Sequence, residues 1–148
     1  MPTLAAVPEH NRSLPPLPAP THVPLPAGHR HVDYALARRS VLRDLKAGRR
    51  DRTELCDAHP ELVRAGRHVG EPADQDCPVC GSASLRLVSY VYGDALRQAN
   101  GRCITYAGEL AKLEASHDEF SRYVVEVCVA CRWNHLRRHE LYGRRFSS

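Results

Sequence analysis

The sequence predicts an α+β fold: a small helical module followed by an elaborated antiparallel, zinc-ribbon-like sheet, with a disordered Pro-rich arm in front. Three observations lead there. Eight of the 11 prolines of this 148-residue chain fall in residues 1–32; residues 33–72 place apolar side chains at helical spacing between capping residues; and from Cys77 onward, β-branched and aromatic runs flank two Cys-x-x-Cys pairs. The expected organisation is therefore an arm over 1–32, a three-helix module over 33–72 and a ribbon-like domain over 73–148 with an insertion at 93–121.

Stretches such as LPPLPAP and VPLPAGH lack the backbone donors that a helix or a central strand needs, so the arm is expected to stay outside the core. Asp33 is placed to cap a first helix, DYALARRSVLRDLKA, which Gly48 can end in a left-handed conformation. Tyr34, Ala37, Val41 and Leu45 form its apolar stripe, and Arg39, Arg43 and Lys46 lie opposite. Thr53 can cap a short helix over TELCDA. Pro60 suits the first turn of a third, PELVRAGRHV, that Gly70 closes.

SLRLVSYVYG, YVVEVC and, more weakly, WNHLRRHELY then read as three antiparallel strands. Val88, Tyr90 and Tyr92 alternate with Leu85, Leu87 and Val91, which predicts a sheet covered on both faces. Inside the insertion, GRCIT can add a short strand and AGELAKLEA one or two helical turns.

Chemistry concentrates in the cysteines. Cys77-Pro-Val-Cys80-Gly81 puts two thiolates on a tight turn, and Cys128-Val-Ala-Cys131 does so again after the strand YVVEV. Two such turns supply the four sulfur donors of a tetrahedral Zn²⁺ site with no open position, so the expected metal is structural and adds roughly 10–16 kcal/mol to folding at neutral pH. The 47 residues between Cys80 and Cys128 exceed the spacing of compact fingers, which is why an insertion must loop out. Arg132 and Arg86 are expected beside the resulting negative charge. Cys56 and Cys103 read as buried small hydrophobes, and His135 and His139 as spare ligands that share one face of a strand.

CPVC, the strand around YVVEVC and the tail CRWNHL, preceded by ELCDAHPELVRAGRHVGEP, resemble a family of small actinobacterial proteins classed as a domain of unknown function. The resemblance covers residues 35–142 and implies a shared zinc-ribbon-like fold, with no assigned activity. One departure stands out: Ala130 and Arg132, not glycine, flank Cys131.

The net charge of +4 is unevenly spread, with residues 33–52 and 128–148 each at +4 and residues 53–76 at −4. Arg39, Arg43, Lys46, Arg49, Arg50, Arg132, Arg137 and Arg138, with Trp133 for stacking, are the expected contacts to nucleic acid or a transcription or translation nucleoprotein. An acidic protein surface is the alternative partner, and a thiol or zinc redox switch the alternative role. No nucleophile elbow, phosphate loop, dinucleotide fingerprint or HExxH motif is present, so a non-catalytic role is expected. No apolar run approaches the roughly 18–20 residues of a membrane span. MPTLAAVPEH lacks the basic start of a signal peptide, and a cytoplasmic protein is the expectation.

Overall fold

The computed structural model describes residues 31–146. Residues 1–30, most of the arm, lie outside the described residues. The chain order is β1 (His31–Asp33), α1 (Ala35–Lys46), α2 (Arg52–Leu55), α3 (Pro60–His68), β2 (Glu71–Pro72), β3 (Leu85–Tyr92), α4 (Glu109–Ser116), β4 (Phe120–Cys128) and β5 (Asn134–Tyr142), with 3-10 turns at Asp94–Ala99 and Arg144–Phe146. All strand pairs are antiparallel, and the sheet order is β1-β5-β4-β3-β2.

The three long strands are those the alternation predicts. Two edges are added to them. His31 and Val32, assigned from sequence to the arm, pair with Glu140 and His139 of β5, and Glu71 and Pro72 pair with Leu87 and Arg86 of β3. Strands this short carry no periodic signal, and Pro72 is tolerated only because it sits at a margin of the sheet. GRCIT contributes a single bridge, Cys103 to Tyr90, in place of a strand.

Both faces of the sheet are covered. Val88, Tyr90, Tyr123, Val125, Val127 and Leu136 pack on one side with Ala58 and Leu62, the latter from α3. Leu85, Cys128 and Trp133 meet Leu55 together with Val41, Leu42 and Leu45 of α1, while Val91 and Phe120 pack with Leu96 and with Leu110 and Leu113 of α4. Residues Tyr123 to Cys128 are consequently all buried, as expected of a central strand sandwiched between layers. The helices of residues 33–72 and the strands of 73–148 thus share their apolar clusters.

Helix starts follow local chemistry with small shifts from expectation. Asp33 accepts the Ala35 amide at 2.7 Å and opens α1, whose exposed Ala37 leaves the stripe to Val41, Leu42 and Leu45. Asp51, not Thr53, caps α2; its amide donates to Glu54 Oε1 at 2.9 Å and its carboxylate receives the Thr53 hydroxyl. His59 Nδ1 accepts the Glu61 amide, and Pro60 occupies the first turn of α3. Among the described residues no helix is long and apolar enough to cross a membrane.

Candidate metal centre

Two turns built on the same plan lie at one end of the sheet. In the first, the Cys77 amide donates to the Ser82 carbonyl at 2.9 Å and the Gly81 amide to the Cys77 carbonyl at 2.9 Å; in the second, Cys128 donates to Trp133 and Arg132 to Cys128, both at 2.8 Å. Each turn aims amides at its leading sulfur: Val79 and Cys80 at Cys77 Sγ (3.3 and 3.4 Å), and Cys131 at Cys128 Sγ (3.4 Å). The residue after each second cysteine is left-handed, Gly81 at φ +77° and Arg132 at φ +74°. Arg132 holds that conformation while its guanidinium donates to the Ala58 carbonyl, whose own residue's amide donates back to the Arg132 carbonyl at 3.1 Å.

Strand pairing brings the turns together. Leu85, at the start of β3, faces Cys128, at the end of β4, and the Val129 amide extends the ladder to the Ser84 carbonyl. The insertion leaves from the far end of the same hairpin, where Tyr92 faces Ser121, so its length has no bearing on the cysteines. It ends at residue 119, before β4 begins at Phe120.

The four Sγ atoms of Cys77, Cys80, Cys128 and Cys131 lie within 4.8 Å of one another, with Cys77 to Cys131 at 3.8 Å and Cys80 to Cys128 at 3.7 Å. Zinc–sulfur bonds of about 2.3 Å at tetrahedral angles put sulfurs about 3.8 Å apart, so this donor set suits Zn²⁺. Burial pushes the Cys77 thiol up to about 11 and raises that of Cys131, whereas the Ser82 hydroxyl, 3.3 Å from Cys80 Sγ, pulls Cys80 down to about 6. A bound cation would hold all four as thiolates.

Spacing did not signal two residues that lie outside the four-sulfur group. Cys56, at the end of α2, reaches Cys131 Sγ at 3.7 Å, so its sulfur stands beside the four-sulfur group and is not only a core filler. Arg52 sets its guanidinium beside Cys56, and that contact raises the arginine's pKa. Arg86 instead bonds the carbonyls of Ala83 and Leu85. The other residue is Glu126, wholly buried, whose carboxylate accepts Arg38 Nε at 3.0 Å on both oxygens, Arg137 at 2.8 Å and the Trp133 indole. A lone acid in the apolar run YVVEVC was its only sequence sign.

The expected contact residues are dispersed. Trp133 is fully buried in the core beneath the cysteines, which corrects the expectation that it stacks on a base. Arg137 is bound to Glu126 and Arg138 to Glu140 at 3.1 Å. Arg39, Arg43, Lys46, Arg49 and Arg50 stay exposed, Arg49 pairing with Asp44 at 2.9 Å and Arg50 with Glu54 at 3.7 Å. His135 stacks on Trp133 and His139 on Tyr123, and neither joins the four-sulfur group; Cys103 lies against the core.

Residues 26–148 match the family of unknown function DUF5318. The chain belongs to that family. It is similar to uncharacterised proteins of Mycobacterium bovis and Mycobacterium tuberculosis, each 43% identical over 112 residues that cover 76% of this chain and 81% of the relative. The actinobacterial relationship read from CPVC and CRWNHL therefore holds for this DUF5318 chain. No solved structure matches it.

Proposed function

We propose that the chain is a zinc-stabilised binding module, held in shape by a closed Zn(Cys)₄ centre and associating in the cytoplasm with nucleic acid or a nucleoprotein machine. The observation that carries the reading is the four-sulfur group at tetrahedral spacing. Cys77, Cys80, Cys128 and Cys131 would hold the metal, which would supply charge and cross-linking but no open position for a substrate.

Support for the partner comes from α1. Arg39, Arg43 and Lys46 recur every three or four residues on its exposed face, continued by Arg49 and Arg50 in the following turn. The pairs Arg49–Asp44 and Arg50–Glu54 are exposed and cost little to exchange for phosphate. Leu36, 72% exposed at the head of this stripe, favours the second reading, an acidic protein surface with an apolar contact.

The experiment is retention of single-stranded and duplex nucleic acid by the zinc-loaded protein across a salt series. Binding is expected to weaken steeply with salt, and Arg39→Ala, Arg43→Ala and Lys46→Ala to lower the slope by about one for each phosphate contact removed. No retention at low salt would eliminate nucleic acid and leave the protein partner.

A further inference from the structure

Five sulfurs gather at the knuckle end of the sheet, and only four are needed to close a tetrahedral centre. We propose that Cys56 is a resolving thiol for Cys131: a hydroperoxide oxidises Cys131, Cys56 captures it as a disulfide, and the metal centre opens. This inference rests on the metal-centre reading above and adds a modification site to it.

Position selects the pair. Cys77 and Cys128 are buried, at 3% and 0% exposure, whereas Cys80, Cys131 and Cys56 are half-buried and within reach of a small oxidant; of the two accessible members of the four-sulfur group, Cys131 is the one with Cys56 beside it. Cys131 Sγ has a ligand sulfur, Cys77, at 3.8 Å on one side and the sulfur of Cys56 at 3.7 Å on the other. The sulfurs of Cys77, Cys80 and Cys128 would be committed to the cation. Cys56 would not, so it would remain a free thiol while the centre is loaded. Bond formation needs an approach to about 2.05 Å. Cys56 caps the four-residue helix α2, and two residues on Ala58 is bonded through its amide and its carbonyl to Arg132, the neighbour of Cys131, so the backbone already holds the two cysteines against each other.

The chemistry balances in two steps. The Cys131 thiolate attacks the hydroperoxide: an S–O bond forms, the O–O bond breaks, and the departing alkoxide takes a proton from solvent to leave as an alcohol, or as water from hydrogen peroxide. The thiolate is oxidised to a sulfenic acid, and the peroxide is reduced by two electrons. The Cys56 sulfur then attacks the sulfenic sulfur; the S–S bond forms, the S–O bond breaks, and hydroxide leaves with the Cys56 proton as water. Only three thiolates then remain to hold the cation, and the second turn is tethered covalently to the end of α2.

The test treats full-length zinc-loaded protein with equimolar hydrogen peroxide, maps disulfides by peptide mass spectrometry and follows zinc with a chromogenic chelator. A Cys56–Cys131 peptide is expected, with one zinc released per disulfide and zinc rebinding after dithiothreitol. Cys56→Ser and Cys56→Ala are expected to bind zinc as the parent does, but to carry sulfinic acid at Cys131 after peroxide and to lose recovery on reduction. Disulfides within Cys77–Cys80 or Cys128–Cys131, or full recovery in both variants, would overturn the proposal while leaving the metal centre intact. Reduced protein that binds no zinc would overturn the metal centre itself, and with it the opening step.

Discussion

Arg132 occupies the position that Gly81 fills in the first turn, at nearly the same φ. A side chain in the left-handed region costs about 1 kcal/mol, which the charged hydrogen bonds to the Ala58 carbonyl offset. Arg132→Ala removes the bonds and keeps the strain, whereas Arg132→Gly removes both. Urea unfolding of the zinc-loaded variants is expected to show both less stable than the parent, with alanine about 1 kcal/mol worse than glycine. The reverse order would mean that φ at residue 132 carries no strain. At His135, burial depresses the pKa, with Arg38 and Arg137 lowering it further against the raising influences of the Leu136 carbonyl and Glu126. The unfolded chain then binds more protons than the native state near pH 6.5, so the stability due to a neutral His135 is present above that value and lost as pH falls below it. His135→Phe should narrow the stability difference between pH 7.5 and 5.5, measured by denaturant titration; an unchanged difference would assign that pH dependence elsewhere. The gathering of Cys77, Cys80, Cys128 and Cys131 was legible because Cys-x-x-Cys spacing reflects one local turn. Cys56 and Glu126 were not: Cys56 meets Cys131 from 75 residues away, and Glu126 gathers Arg38 from 88 residues away together with Trp133 and Arg137 from the neighbouring turn and strand, a convergence that only the fold creates.

Among the elements, α3 packs tightly onto the sheet through Gly66. A Cβ there would stand 2.7 Å from Val127 Cγ1, a fully buried, stiff side chain. Alanine would gain about 1 kcal/mol of helix propensity, but overpacking costs typically 1–3 kcal/mol. Gly66→Ala is expected to destabilise, and Val127→Ala introduced with it to recover about 1 kcal/mol relative to the sum of the single changes in a double-mutant cycle. Independent, additive effects would show that the helix can lift away without cost. Long elements were readable because their period is imposed by burial: β3 and β4 alternate or run apolar according to what covers them, and α3 has its Pro60 start. Two-residue and three-residue edges such as β2 and β1 carry no period and are defined only by the strand beside them.

At the scale of the molecule, the proposed cross-link would bear on a small net stability. Structural zinc sites contribute roughly 10–16 kcal/mol, comparable to or larger than the 5–15 kcal/mol by which whole domains are stable. Chelation of zinc under reducing conditions, or Cys131→Ser, is therefore expected to abolish the cooperative thermal transition seen by circular dichroism. A metal-free chain melting at the parent's temperature would reduce the centre to an accessory. Which layers meet was only partly legible, because the charge and cap pattern of residues 33–72 describes helices without saying what they cover.

The strand order carries a last consequence. Both outermost strands, His31–Asp33 and Glu71–Pro72, come from the half of the chain that precedes Cys77. A fragment starting at residue 73 would bare the stretch of β5 from Arg138 to Glu140 and that of β3 at Arg86 and Leu87, opening backbone groups on both margins to a neighbouring copy. The N-terminal half thus puts a short cuff on each margin of the sheet, and its removal is expected to favour self-association.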